Sequence, residues 1–162
     1  MKIVLYFILI NFILLSNSRK GLTQNNVEQN EWPPGWTEKC LSCICEATSS
    51  CNQTLECLGE YCGMFLISRS YWIDAGSPVL QKDNVNETEA FQRCVTDPYC
   101  ASRTVNQYVQ RFIQDCNNDG ILSCDDYARL HYLGYLQCTR ALRNVTYYRI
   151  FQTCFQRNFI NA

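Results

Sequence analysis

Twelve cysteines lie between Cys40 and Cys154, and none precedes Cys40. Such a density in 162 residues predicts a disulfide framework, because disulfides persist in oxidising compartments and stabilise small domains there. The C-x2-C spacing of Cys40 and Cys43 also occurs in zinc sites, but an even cysteine count in a secreted chain favours disulfides. The predicted disulfide cysteines are Cys40, Cys43, Cys45, Cys51, Cys57, Cys62, Cys94, Cys100, Cys116, Cys124, Cys138 and Cys154.

Three pairs of these cysteines are close in sequence. Each closes a small loop within the reach of a disulfide, so they are the favoured bridges. They are Cys45–Cys51, Cys57–Cys62 and Cys94–Cys100. The pairing of the other six cysteines stays open, and no free thiol is expected.

The N-terminus has the pattern of a secretory signal. Lys2 precedes an almost wholly apolar run over residues 3–15, and Ser16-Asn-Ser18 provides small residues for cleavage. A membrane anchor is the alternative, but spanning a bilayer takes about 20 apolar residues. We therefore predict a signal peptide over residues 1–18, a polar leader over 19–39, one domain over 40–162, and an extracellular protein without membrane association.

Secretion makes three N-x-S/T sequons usable for glycosylation, at Asn52, Asn86 and Asn144. Asn52 lies between Cys51 and Cys57, so a tight disulfide loop is expected to restrict access to it. The formal net charge of −1 gives no support for nucleic-acid binding. We expect a monomer.

Helical signals dominate the second half of the chain. Asp97 followed by Pro98 predicts a helix start, residues 86–89 open a shorter helix toward Cys94, and Gly134 ends a helix over 125–133. A last amphipathic helix is predicted over 147–155. Residues 64–67 and 71–73 predict a short β-hairpin around 68–70.

Several sequence blocks form a recognisable combination over nearly all of the mature chain. They are Cys40-Leu-Ser-Cys-Ile-Cys45, Cys51, Cys62-Gly63, Tyr71-Trp-Ile-Asp74, Cys94, Tyr99-Cys-Ala-Ser102, Gln107-Tyr108, Tyr127-Ala-Arg129 and His131. In this combination the chain resembles the invertebrate-type lysozymes, the destabilase family. The resemblance implies a mainly helical α+β fold, disulfide-rich and lysozyme-like, with a small β-hairpin beside a sugar cleft. It also implies hydrolysis of β-1,4 glycosidic bonds in peptidoglycan, with isopeptide cleavage in some members, and no required cofactor.

The same resemblance makes Tyr71, Trp72, Asp74 and His131 candidate substrate-binding residues for peptidoglycan or an aminosugar oligosaccharide. Family members commonly have cysteines at the positions of Ala75 and Thr104. Both are absent while the count stays even, which indicates that these two pair in the family and were lost together.

The catalytic positions depart from the family. Thr48 stands where the family has its acidic Glu, and threonine cannot serve as a general acid. The family's second carboxylate follows the cysteine matching Cys57, but this loop is about four residues shorter and offers only Glu60. Glu46 is the acid nearest Thr48, and a two-residue helical offset of about 200° directs it elsewhere. We expect hydrolysis to be weakened or lost; the alternative is a non-catalytic sugar-binding protein.

The residues for isopeptide cleavage are missing as well. The shortened loop is the one that carries the family's serine, and Ser68 stands where the family has a lysine. His131 alone cannot activate a nucleophile that is absent.

Residues 115–126 fit the calcium-loop pattern D-x-N-x-D-G-x5-acid. Gly120 would make the turn, and an acid of Asp length at position 12 would weaken binding. The alternative is a polar turn that only resembles the loop. The predicted ligands of a structural calcium are Asp115, Asn117, Asp119, the Ile121 carbonyl, Ser123 and Asp126.

Overall fold

The computed structural model describes residues 35–160. The predicted signal peptide and residues 19–34 of the predicted leader lie outside this range. Within it, no helix has the length and apolar character needed to cross a membrane. The elements are α1 (Trp36–Ser49), β1 (Cys57–Leu58), β2 (Tyr61–Cys62), β3 (Ile67–Ser68), α2 (Arg69–Asp74), α3 (Ala90–Thr96), α4 (Pro98–Phe112), α5 (Cys124–Leu133) and α6 (Thr146–Phe155), followed by a π-helical turn over Gln156–Ile160. The predicted α+β, mainly helical fold is therefore confirmed.

Helix α1 is the central element of the core. Cys40, Cys43, Ile44 and Ala47 are buried and lie three or four positions apart, so they form one face of the helix. The helix packs mainly on α6 and also on α4 and α5. The helix begins at Trp36, whose ring lies edge-on to Tyr127 with 5.3 Å between centroids. The folded domain thus includes the end of the stretch predicted as leader, because Trp36 is held by this aromatic packing.

Helix α4 begins as the sequence predicts. The Asp97 side chain accepts a hydrogen bond from the backbone N–H of Cys100 at 2.8 Å, and Pro98 occupies the first turn. Helix α3 begins at Ala90, later than the predicted start at Asn86. The Asn86 N–H bonds to the side chain of Asn84 at 2.9 Å, and this local turn competes with helix formation.

The three strands form one antiparallel sheet in the order β1-β2-β3, with Tyr61 paired to both Leu58 and Ser68. The predicted hairpin between residues 64–67 and 71–73 is wrong. The Ser68 side chain accepts the N–H of Tyr71 at 3.2 Å and caps α2, so residues 71–73 are helical. Of the aromatic and β-branched residues that indicated a strand, only Trp72 is buried in this short helix.

All twelve cysteines are paired. The three predicted short bridges, Cys45–Cys51, Cys57–Cys62 and Cys94–Cys100, are confirmed. The three bridges left open by the sequence are Cys40–Cys124, Cys43–Cys154 and Cys116–Cys138. Two of them start one turn apart on α1, so this helix is covalently joined to both α5 and α6.

The two positions where the family commonly has cysteines lie in the core. Ala75 follows α2 and Thr104 lies on α4, and these helices pack on each other. The Thr104 hydroxyl donates to the carbonyl of Cys100 at 2.8 Å, so its polar group is satisfied inside the helix. Both positions are therefore occupied by small side chains that fit a buried site.

Candidate functional site

A cleft of about 390 Å³ lies where the end of α1, the sheet, α5 and the start of α6 meet. Its walls are mainly aromatic, and Tyr132 stacks on Tyr147 with 4.4 Å between ring centroids. The lining residues are Ala47, Thr48, Tyr61, Phe65, Leu66, His131, Tyr132 and Tyr147. No carboxylate is among them.

Thr48 lines this cleft from the last turn of α1. Its hydroxyl donates to the carbonyl of Ile44 at 2.7 Å, one helical turn earlier. A hydroxyl of this kind has no acidic proton at neutral pH and is already engaged with the backbone. The position that the resemblance assigns to the catalytic acid therefore faces the cleft without an acid.

The two other candidate acids lie elsewhere. Glu60 is exposed in the turn between β1 and β2 and does not line the cleft. Glu46 forms an ion pair with Arg157 at 2.7 Å, also away from the cleft lining. The predicted divergence of Glu46 from Thr48 along the helix agrees with these contacts.

His131 lines the cleft, and each of its ring nitrogens contacts a neighbouring polar group. Its Nδ1 lies 3.2 Å from the Tyr71 hydroxyl and its Nε2 lies 3.0 Å from the carbonyl of Phe65. A neutral ring satisfies both contacts when Nε2–H donates to Phe65 and Tyr71 O–H donates to Nδ1. Burial lowers the pKa of His131 to about 4, against a smaller raising effect of the Phe65 carbonyl. The ring is neutral at pH 7.

The other predicted substrate-binding residues do not line the cleft. Tyr71 stacks on Tyr108 at 3.7 Å between centroids, and its hydroxyl contacts the ring of His131. Trp72 is buried, and its indole N–H donates to the carbonyl of Pro78 at 2.7 Å, so it is a core residue. Asp74 ends α2, where its carbonyl accepts a hydrogen bond from Arg111. Of the four candidates, only His131 belongs to the cleft.

Four aromatic lining residues were not predicted as site residues: Tyr61, Phe65, Tyr132 and Tyr147. Tyr147 lies at the start of the predicted amphipathic helix over 147–155, and it is mostly buried. Phe65 is buried as well, whereas Tyr61 and Tyr132 are about half exposed, and this exposure distinguishes the two rings from core residues. That signal is not available from the sequence.

The loop over residues 115–126 is held by its own carboxylates. Asp115 accepts the N–H groups of Asp119 and Gly120, and buried Asp126 accepts those of Cys116 and Ser123 at 2.8 and 2.7 Å. Within residues 35–160, no group of three or more His, Cys, Asp or Glu side chains is placed to hold a metal. The carboxylates among the predicted calcium ligands do not form such a group, and calcium binding stays a prediction.

The three sequon asparagines, Asn52, Asn86 and Asn144, are all exposed. The restriction expected for Asn52 is not observed. Its side-chain oxygen accepts hydrogen bonds from the N–H and hydroxyl of Thr54, at 3.0 and 2.8 Å, in an open turn. The disulfide loop thus leaves this asparagine on the surface.

A helical domain with a small sheet beside an aromatic cleft, closed by six disulfides, is a lysozyme-like architecture. The Destabilase family model matches residues 37–154. The chain belongs to this family, the invertebrate-type lysozymes. Lysozymes of this family need no cofactor.

Individual relatives agree with this assignment. An invertebrate-type lysozyme of Ruditapes philippinarum is 31% identical over 127 residues, covering 75% of this chain and 85% of its own. Lysozyme 1 of Crassostrea virginica is 34% identical over 100 residues, 59% of this chain, and the match spans about half, 47%, of its length. A chain in the crystal structure of Aeromonas hydrophila PliI in complex with Meretrix lusoria lysozyme superposes with a TM-score of 0.54 and 30% identity, covering 72% of this chain and 88% of that one.

Proposed function

We propose that this protein is a secreted member of its family in which hydrolysis of peptidoglycan is strongly weakened or lost. One observation carries the proposal: Thr48 occupies the cleft where the family resemblance places an acid, and no carboxylate lines that cleft. Glycoside hydrolysis needs one carboxyl to protonate the leaving oxygen and a second to attack or to activate water.

The expected loss is large. Removing one positioned general acid costs roughly 10²–10⁴-fold in rate. Glu60 is the candidate substitute for the second carboxylate, and it lies on an exposed turn outside the cleft lining. Because the two carboxyls act as a pair, Thr48→Glu alone is expected to restore little activity.

Retention of sugar binding is the second candidate function, and the aromatic lining favours it. Tyr61 and Tyr132 are 53% and 48% exposed, so both rings are available to a ligand. Aromatic rings offer large, rigid apolar faces together with a hydroxyl that can hydrogen-bond. We propose that the cleft holds peptidoglycan or aminosugar chains, in defence or in digestion, without cleaving them efficiently.

Two assays on the purified chain separate these candidates. Turbidity of a peptidoglycan suspension reports hydrolysis, and co-sedimentation with the same peptidoglycan reports binding. We expect binding with little or no clearing. Tyr132→Ala should weaken binding several-fold, whereas Tyr99→Ala, which removes an 88% exposed tyrosine outside the cleft, should not.

Rapid clearing that is abolished by Glu60→Gln would contradict the loss of hydrolysis. Equal binding by the Tyr132 and Tyr99 variants would contradict sugar binding in the cleft. The two results are independent, so either half of the proposal can fail alone.

Secretion, glycosylation and the monomeric state belong to the same proposal. The six disulfides support an oxidising compartment. N-terminal sequencing of protein from culture medium should give a chain that begins at about residue 19, and glycosidase treatment should reduce its mass. Retention of residues 1–18 in the secreted protein would refute the signal-peptide assignment.

A further inference from the structure

A second pocket lies away from the aromatic cleft and is lined by arginines. Its volume is about 540 Å³. Arg129, Arg143 and Arg149 contribute to its wall, and no aspartate or glutamate does. Residues 127–162 contain five arginines and no acid, although the whole chain has a net charge of −1. This C-terminal part of the chain is thus net positive, and three of its five arginines line the pocket.

The three arginines differ in how their charges are balanced. Arg129 pairs with Asp125 at 2.7 Å and also donates to the Tyr148 hydroxyl at 3.2 Å, so it is a fixed part of the wall. Arg143 and Arg149 are exposed, and neither forms an ion pair within the described part of the chain. The pocket therefore presents two guanidinium groups without a counter-charge.

The start of α6 adds to this positive potential. Val145, which lines the pocket, precedes the ten-residue helix and provides no side-chain cap. The N–H groups of a first helical turn have no partner within the helix, and they carry the positive end of its dipole. Here they lie beside the two uncompensated arginines, so both features favour the same sign of ligand charge.

We propose that this pocket binds a tetrahedral oxyanion, namely the phosphate or sulfate group of a larger ligand. The planar guanidinium group matches the paired oxygens of such anions and binds them through two parallel hydrogen bonds. The volume lies within the range of roughly 300–1,000 Å³ typical of small-molecule sites and leaves space beyond the anion itself. This inference is independent of what the aromatic cleft binds.

Titration with inorganic phosphate, followed by amide NMR at low ionic strength, tests the site directly. Any glycan on the chain is first trimmed to a single sugar, because Asn144, a predicted glycosylation site, lines the pocket. We expect saturable shifts in the N–H signals of residues 145–149. Arg143→Gln and Arg149→Gln should each weaken binding about tenfold, since each removes a charge-assisted hydrogen bond. Lys82→Gln, which removes an exposed positive charge elsewhere, should leave binding unchanged.

Titrations with an aminosugar phosphate and the matching aminosugar sulfate then distinguish the two sources of the anion. Tighter binding of either one supports the site and identifies its source. The proposal is overturned if phosphate causes no saturable shifts at residues 145–149. It is also overturned if the Arg143 and Arg149 variants bind as the wild type does, or if Lys82→Gln weakens binding equally.

Discussion

Acidification from about pH 7.5 to 4.5 is expected to destabilise this protein through His131. In the folded chain the pKa of this side chain is lowered to about 4 by burial, whereas an unfolded histidine titrates near 6.5. Above pH 6.5 the ring is neutral in both states and has no effect on the pH dependence. Between pH 6.5 and 4 the unfolded chain binds a proton that the folded chain does not, so folding stability falls as the pH falls.

The size of this loss follows from the two pKa values. A difference of about 2.5 between the unfolded and folded pKa values corresponds to about 3.5 kcal/mol at most, reached below pH 4, because each pKa unit is worth about 1.4 kcal/mol. The contacts of the His131 ring explain why its pKa is lowered rather than raised. A proton on Nδ1 would break the hydrogen bond accepted from Tyr71, in a site that already disfavours charge. Since the ring also lines the cleft, solvent access reduces the effect, and about 2 kcal/mol is the expected observable loss.

Two measurements check this expectation. His131 is the only histidine, so its ring proton signals report its pKa directly in an NMR titration. Urea unfolding at several pH values should show a steeper loss of stability for the wild type than for His131→Gln, which keeps a donor and an acceptor but does not titrate. A measured pKa at or above 6.5, or parallel pH profiles for both proteins, would refute the reasoning.

Two further predictions concern the core and the acidic loop. Ala75→Cys combined with Thr104→Cys is expected to form the bridge that the family commonly has and to stabilise the fold by roughly 2–4 kcal/mol. The melting temperature should rise only for the double variant and should fall back under reductant. An unchanged melting temperature under oxidising conditions would contradict this prediction. Asp126→Asn should cost about 1–3 kcal/mol, because one of the N–H groups that the buried carboxylate accepts loses its partner. Thermal denaturation with calcium and with chelator tests the calcium prediction for the same loop. A calcium-dependent rise in melting temperature that is lost in Asp119→Ala would establish the calcium site. Identical melting curves with calcium and with chelator would reject it.

Local signals in the sequence predicted the local structure well. Asp97 and Pro98 predicted the start of α4, and short cysteine spacings predicted three bridges, because both depend on residues only a few positions apart. Residues 71–73 were assigned to a strand because aromatic and β-branched residues suit either element; the Ser68 cap decides for the helix. The longer bridges depend on which helices pack together, and spacing carries no information on that.

Two of the residues that the resemblance singles out, Thr48 and His131, line the cleft. Trp72 does not, because its indole is used inside the core. A motif shared with a family contains both ligand-contacting and structural residues. The motif alone does not show which side chains point into the cleft.

The two long bridges from α1 have a consequence for the integrity of the chain after proteolysis. Cys40–Cys124 and Cys43–Cys154 both span every peptide bond from residue 43 to residue 124, and the second continues to residue 154. A protease that cuts once at an exposed site such as Lys82 therefore releases no fragment until a reductant is added. A nicked molecule would keep the full mass in non-reducing electrophoresis, and its helices would stay covalently attached to one another.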